Sequence, residues 1–98
     1  MKIEDIKKDT YYYFKNCYNN DYIFLAKKDG TMFYSFRYIP NSENFNVDSA
    51  YTIGNTKKNV ESTLRVATYE EIGILNEQII VEGHSIPNIN QELNYSIW

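Results

Sequence analysis

The residue types that most often carry out catalysis are scarce in this chain. It contains one histidine, His84, and one cysteine, Cys17, which lie far apart in the sequence. The adjacent carboxylates Glu70 and Glu71 follow Thr68 at the expected start of a helix, where helix capping explains them better than acid–base chemistry does. The sequence therefore predicts a protein that is not an enzyme.

The sequence also offers little that would hold a metal or a cofactor. A single cysteine cannot form an internal disulfide, and no cysteine and histidine spacing typical of zinc occurs. Only four glycines are present, and they form no glycine-rich phosphate loop. We expect neither a metal nor a cofactor.

The strongest structural signal is the stretch Asp21–Ile39, which reads DYIFLAKKDGTMFYSFRYI. Its two aromatic-rich runs flank an Asp-Gly pair at 29–30, and such a pair predicts a two-residue β-hairpin turn. A second tight turn at the Asn-Asn pair 19–20 would join this hairpin to a first strand at Tyr11–Tyr18. The sequence thus predicts a three-stranded antiparallel meander.

The two turns together predict a register in which Leu25 lies opposite both Phe14 and Tyr34. Because successive side chains of a strand point to opposite faces, this register assigns one apolar core face. The predicted core face consists of Tyr12, Phe14, Ile23, Leu25, Met32, Tyr34, Phe36 and Tyr38.

The opposite face combines aromatic rings with cationic groups. Its candidate residues for binding a ligand or a partner are Tyr11, Tyr13, Lys15, Tyr22, Phe24, Phe33 and Arg37. This composition suits base stacking with phosphate contacts, and it equally suits a protein interaction hot spot. Tyr22 opposite Arg37 is also an ordinary cross-strand cation–π pair, and a covering helix would explain the whole face without a ligand.

After Pro40, the polar residues Asn41–Ser49 are expected to form a loop. Short strands are predicted at Tyr51–Gly54 and at Val60–Ala67, where apolar and polar side chains alternate. Five short strands at this spacing predict a small bent antiparallel sheet or an SH3-like barrel, which together with the helix that follows gives an α+β fold.

A different pattern begins at Thr68, which forms a capping box with Glu71. Apolar residues then recur at helical spacing, at Ile72, Leu75 and Ile79. We therefore predict one C-terminal amphipathic helix at Tyr69–Glu82. Residues 1–83 would form a single domain, and residues 84–98 a tail that packs on this domain or on a partner.

Charge is distributed unevenly along the chain, whose net charge is −3. All ten lysines and arginines lie at or before Arg65, together with eight of the thirteen acidic residues. From Val66 onward there are five acidic residues and no basic ones. The acidic part could imitate nucleic acid toward a basic protein.

No apolar run approaches the roughly 20 residues that span a bilayer. The N-terminal residues are charged and lack the apolar segment of a secretion signal. We therefore expect a cytoplasmic protein with no membrane partner.

Asparagine, isoleucine and lysine are abundant while arginine is scarce, which indicates an AT-rich coding genome.

The segment Leu64–Ile79, LRVATYEEIGILNEQI, resembles a pattern found in small uncharacterised proteins of bacteriophages and mobile elements. Those proteins have a β-rich N-terminal part followed by a helix that begins with R-x-A-T-x-E-E-I-x-x-L. The matching residues here are Arg65, Ala67, Thr68, Glu70, Glu71, Ile72 and Leu75. The chain departs from the pattern at Gly73 and Ile74, where many such helices are more strongly helix-forming.

The resemblance implies a phage-like origin, and small phage proteins of this type often bind host components, including antiviral defence factors. We therefore expect a non-catalytic binding protein that inhibits a host defence component by occlusion, of the anti-CRISPR or another anti-defence type. Its partner would be a host protein in the host cytoplasm. Two alternatives stay open: a module that sequesters a nucleotide or single-stranded nucleic acid by aromatic stacking, and an accessory structural protein that forms homo-oligomers.

Overall fold

The computed structural model describes residues 1–51 and 57–88. These form a five-stranded antiparallel sheet with the strand order β4-β3-β2-β1-β5. The strands are β1 (Tyr11–Lys15), β2 (Asp21–Ala26), β3 (Phe33–Ile39), β4 (Asn44–Ala50) and β5 (Arg65–Val66). The helices are α1 (Lys57–Thr63) and α2 (Tyr69–Val81), with short 3-10 turns at Ile3–Asp5 and Pro40–Ser42. The predicted α+β class is confirmed, with an open sheet.

The central strands of the sheet are buried on both faces. One face, which we call the α2 face, packs under α2, and the core between them consists of Tyr11, Ile23, Leu25, Ala67, Ile72, Leu75 and Ile79. The other, which we call the α1 face, packs under α1 and the N-terminal segment. The core on this side consists of Ile3, Ile6, Tyr12, Phe14, Tyr22, Phe24, Ala26, Met32, Tyr34, Ile39, Val60 and Leu64. Because neighbouring strand residues serve opposite faces, β1 and β2 are apolar at nearly every position.

The register between β1 and β2 differs from the prediction. Tyr11 pairs with Leu25 and Phe14 pairs with Tyr22, so the predicted pairing of Phe14 with Leu25 is wrong. Residues 16–20 separate the strands, and Asn16 Oδ1 accepts backbone N–H groups at 18 and 20, both at 3.0 Å. This side chain stabilises a five-residue connection instead of a two-residue turn. The resulting shift by an odd number of residues moves all of β1 to the other face.

The connection between β2 and β3 is also longer than predicted, and spans residues 27–32. Gly30 has a φ of 64° and donates its N–H to the carbonyl of Ile6 at 2.8 Å. The carboxylate of Asp29 accepts the N–H of Lys8 at 2.7 Å. The loop is therefore shaped by hydrogen bonds to the N-terminal segment, which the local turn signal does not include.

A β-bulge between β2 and β3 changes the face assignment a second time. Leu25 pairs with Phe36 but Ala26 pairs with Tyr34, so Ser35 is an additional residue on β3. Tyr34 therefore belongs to the α1 face and Phe36 to the α2 face, although only one residue separates them. The prediction of one core face that contains both is wrong.

Two later elements also differ from the predictions. Strand β4 occupies Asn44–Ala50, and all of it except Ala50 was predicted to be part of a polar loop. The predicted strand at Val60–Ala67 is replaced by α1 and the two-residue β5. Val60 and Leu64 fit strand alternation, but they also fit the i, i+4 spacing of a helix, which directs both to the α1 face. The predicted strand at Tyr51–Gly54 lies outside the described residues apart from Tyr51.

The predicted C-terminal helix is confirmed as α2, with its capping box. Thr68 Oγ1 accepts the N–H of Glu71 at 3.2 Å, and Glu71 Oε1 accepts the N–H of Thr68 at 2.8 Å. Ile72, Leu75 and Ile79 are fully buried, and the burial of each stabilises the folded state by about 1.5–3 kcal/mol.

None of the helices in the described part of the chain has the length and apolar character needed to cross a bilayer.

Candidate functional site

The structure divides the seven predicted binding residues between the two faces of the sheet. Three of them lie on the side of α2, namely Tyr11, Tyr13 and Lys15. Three others lie on the side of α1, namely Tyr22, Phe24 and Arg37. Phe33 lies at the start of β3. The predicted single mixed face is therefore wrong, because the odd register shift moves β1 away from its expected neighbours.

Most of the aromatic rings in this set are not accessible. Tyr11, Tyr22 and Phe24 are buried in the two cores. Phe33 is 42% exposed, and the ammonium of Lys28 lies 5.0 Å from its ring centroid. The described residues therefore do not present the row of exposed rings on which successive bases of a single strand would stack.

Tyr13 and Lys15 belong to a polar network beside the first turn of α2. The Tyr13 hydroxyl donates to Asp21 Oδ1 at 2.5 Å, and Lys15 Nζ lies 3.6 Å from the same oxygen. The guanidinium of Arg65 lies 4.0 Å from the Tyr13 ring centroid. Burial, together with the hydrogen bond to Asp21, raises the pKa of Tyr13 to about 12. This phenol therefore remains a protonated donor and does not act as a base near neutral pH.

Arg65 and Glu71 complete this network. Arg65 Nη1 and Nη2 donate to the two carboxylate oxygens of Glu71, each at 2.8 Å. Burial raises the pKa of Glu71, but the donors Arg65 and Thr68 outweigh burial and hold that pKa below its usual value. Glu71 is therefore a charged structural group, as the capping box predicted. The contact between Arg65 and Tyr13 was not predicted, since it joins strands that are distant in sequence.

An open cleft of about 410 Å³ lies between the first turns of α2 and the sheet. Its lining combines apolar side chains with three carboxylates, and consists of Tyr13, Asp21, Ile23, Pro40, Glu70, Glu71 and Ile74. Glu70 and Ile74 line this cleft and are also exposed on the outer side of α2. The cleft and that surface therefore form one continuous region.

The outer face of α2 is both apolar and acidic. Its exposed apolar side chains include Ile74, Ile80 and Val81, of which Ile80 is 58% and Val81 67% exposed. Glu70 and Glu77 are exposed between them, and α2 contains no lysine or arginine. We name this region the α2 surface, defined by Tyr69, Glu70, Gly73, Ile74, Glu77, Ile80 and Val81. The sequence pattern predicted the helix but did not indicate its outer side as a candidate site.

Arg37 forms a second polar cluster on the α1 face. Its guanidinium lies 5.5 Å from the ring centroid of Tyr22 and 5.8 Å from that of Tyr34. The predicted cation–π contact with Tyr22 is thus confirmed, although Arg37 pairs in register with Phe24. Arg37 Nη2 donates to the side-chain oxygens of Asn44, at 2.9 Å, and Asn46.

Neither Cys17 nor His84 lines the cleft beside α2. Within residues 1–51 and 57–88, no group of three or more histidine, cysteine, aspartate or glutamate side chains could hold a metal ion. Cys17 is exposed in the connection after β1. His84 begins the predicted tail and packs against Phe36 and Phe45, with ring centroids 5.6 and 6.0 Å apart. The first residue of this tail therefore packs on the domain.

Comparison of this chain with protein families, curated proteins and solved structures finds no match. No residue role can therefore be transferred from a relative. The described residues form a small α+β domain whose two core faces are covered and whose α2 surface presents exposed apolar side chains together with carboxylates.

Proposed function

We propose that this chain is a non-catalytic binding protein whose α2 surface binds a basic surface of a partner protein. One observation carries the proposal: exposed apolar side chains and carboxylates share one face of a helix that has no basic residue. Ile80 and Val81 are more than half exposed, on a helix whose inner side is already fully packed. Apolar groups flanked by charge are typical of surfaces that bind other proteins.

The charge of this region favours a basic partner. Asp21 and Glu70 line the adjoining cleft, and Glu77 lies further along α2. Two cations lie beside this cleft and each is paired, Arg65 with Glu71 and Lys15 with Asp21, so Glu70 and Glu77 carry the net negative charge. Complementary charge accelerates encounter and discriminates against acidic partners, while burial of Ile80 and Val81 would supply affinity.

The finer proposal is that the partner is a nucleic-acid-binding component of a host antiviral defence, which this chain inhibits by occlusion. Its support is the resemblance of Leu64–Ile79 to proteins of phages and mobile elements, combined with the acidity of the α2 surface. Carboxylates presented on a rigid helix can occupy positions on the partner that phosphates would otherwise occupy. Occlusion needs no catalytic group, and it would take place in the host cytoplasm.

The two alternative functions have less support. Stacking of a nucleotide or single strand would need rings such as Tyr22 and Phe24, which are buried. Self-association through the α2 surface would bring Glu70 and Glu77 of two copies close together, and like charges oppose that arrangement. Light scattering at high protein concentration tests self-association directly, and this proposal expects a monomer.

A pair of charge-reversed variants tests the proposal. The double variant Glu70→Lys with Glu77→Lys reverses the charge of the α2 surface. The control, Glu4→Lys with Asp5→Lys, makes the same change at exposed positions in the first 3-10 turn, next to the α1 face. Each protein is immobilised and exposed to bacterial lysate, with and without excess duplex DNA.

We expect the wild type and the control to retain the same basic protein, and the α2 variant to retain less than about a tenth as much. Added duplex DNA should release the retained protein, because both would use the same basic surface. The proposal is wrong if the wild type retains no protein selectively, or if the α2 variant and the control behave alike. Retention that is insensitive to DNA would contradict the occlusion of a nucleic-acid site.

A further inference from the structure

Three buried polar atoms on β3 and β4 have no hydrogen-bond partner in the described structure: the Tyr34 hydroxyl, Arg37 Nε and Ser49 Oγ. Tyr34 is completely buried and pairs with Ser49 across the strands, so both side chains project onto the α1 face. Arg37 lies on the same face and stacks over the Tyr34 ring. Buried polar groups are satisfied in the great majority of cases, so three that share one face require an explanation.

Arg37 adds a charge for which the described residues supply no anion. The ion pairs formed by these residues involve other cations, namely Lys2, Lys15, Lys27 and Arg65. The acceptors of Arg37 Nη2 are neutral amide oxygens, at Asn44 and Asn46. These amides and the two tyrosine rings fix the plane of the guanidinium, while its Nε–H remains unused. A partly buried guanidinium held in one orientation is suited to binding an oxyanion.

We propose that Arg37, Tyr34 and Ser49 form a binding site for an oxyanion, either a phosphate or a carboxylate. The chemistry is complementary, because all three groups can donate hydrogen bonds and an ionised oxyanion only accepts them. Arg37 also supplies the charge that compensates the anion.

The position of the site determines how an anion would enter. Asn44 is exposed on the edge strand β4, whereas the Tyr34 hydroxyl is sealed from solvent. An anion that approaches from the side of Asn44 meets the guanidinium first, and side chains must move to admit it to the Tyr34 hydroxyl. This site lies on the opposite side of the sheet from the α2 surface, so it is independent of the proposed protein interface.

Titration followed by nuclear magnetic resonance tests the site in the full chain. The Arg37 Nε–H signal is recorded while inorganic phosphate, or acetate in a separate series, replaces chloride at constant ionic strength. We expect a saturable shift of this signal in the wild type. Tyr34→Phe keeps the packed ring and removes only the hydroxyl, and should weaken binding by about tenfold.

Two arginine variants complete the test. Arg37→Lys keeps the charge but loses the planar fork, and should weaken binding by about tenfold or more. Arg65→Lys makes the same change at an arginine that is already paired with Glu71, and should leave the affinity unchanged. If Arg37→Lys fails to fold, the comparison of wild type with Tyr34→Phe is sufficient.

The two series identify the source of the anion. Saturation by phosphate alone indicates a phosphate ester, and saturation by acetate as well extends the site to carboxylates such as a peptide C-terminus. Both outcomes support the proposal. A linear shift without saturation in either series, or an equal affinity in Tyr34→Phe, would overturn it.

Discussion

Glu71 connects three elements through one carboxylate, and replacing it with alanine should destabilise the fold far more than the same change at Glu70. Glu71 accepts two hydrogen bonds from Arg65 on β5 and one from the N–H of Thr68 at the start of α2. Arg65 in turn lies over the ring of Tyr13 on β1. The carboxylate thus holds the first turn of α2 against the edge of the sheet.

The loss of stability expected for Glu71→Ala is the sum of what its separate contacts contribute. The side-chain half of the capping box contributes about 0.5–1 kcal/mol to the free energy of unfolding. The ion pair contributes about 0.5–1 kcal/mol, because the Arg65 side chain is 45% exposed and water screens it. Glu71→Ala should therefore cost about 1–2 kcal/mol, which lowers the Tm of a domain of this size by about 4–16 °C. Glu70→Ala loses only an exposed charge near the helix dipole, about 0.3 kcal/mol.

Urea and thermal unfolding of the two variants measure this difference, and the double variant with Arg65→Ala closes a thermodynamic cycle. The coupling free energy between Arg65 and Glu71 should be about 0.5–1 kcal/mol. Equal stability of Glu71→Ala and Glu70→Ala would refute the assigned role of Glu71. A coupling free energy near zero would refute the contribution of the ion pair alone.

The same carboxylate should make stability depend on pH. The folded state lowers the pKa of Glu71, so it binds this proton less readily than the unfolded state does. The resulting stabilisation is fully present above the ordinary glutamate pKa of about 4.3 and is lost as pH falls through the lower folded value. The difference in unfolding free energy between wild type and Glu71→Gln should therefore shrink below about pH 4.

Three further substitutions concern backbone geometry and packing, and urea unfolding measures the effect of each. Gly73→Ala should stabilise the fold by about 0.5–1 kcal/mol, because a Cβ at this helical position meets no atom within 4 Å. Gly30→Ala should instead destabilise the fold by about 1–2 kcal/mol, since φ is +64° and the added Cβ would lie 3.4 Å from the Glu4 carbonyl oxygen. Equal effects of the two glycine substitutions on stability would contradict this reasoning. Leu75→Ala should cost about 2–5 kcal/mol because Leu75 is completely buried, and a cost below about 1 kcal/mol would contradict its place in the core.

Features that depend on nearby residues could be predicted from the sequence. The capping box at Thr68 and the buried stripe of α2 involve residues within four positions of each other, and both are confirmed. The first three strands were also predicted, because aromatic and β-branched residues favour strands in any register.

Features that depend on distant hydrogen bonds could not be predicted. The bulge at Ser35 leaves no mark in the hydrophobic pattern, yet it separates Tyr34 from Phe36. The six-residue loop before β3 depends on the N-terminal segment, through Gly30 and Ile6. The spacing of Val60 and Leu64 fits both the alternation of a strand and the i, i+4 spacing of a helix. Only their packing against the α1 face of the sheet distinguishes the two.

The candidate sites were predicted only in part. Tyr22 and Arg37 were expected to meet, and they do, because a register shift of two residues leaves a strand on the same face. The hydrogen-bond acceptors of Arg37 come from β4, which was expected to be a loop. The α2 surface was not predicted, since helical periodicity identifies the buried side of a helix but does not indicate whether its outer side binds a partner.

Because β2 is buried on both faces, residues that are adjacent in its sequence pack in different cores. Phe24 and Leu25 are adjacent in the chain, yet they belong to clusters on opposite sides of the sheet. Phe24 and Tyr34 are ten positions apart, yet their ring centroids lie 4.7 Å from each other. Because the two layers have different partners, substitutions made in both at once should change the free energy of unfolding by nearly the sum of their separate effects.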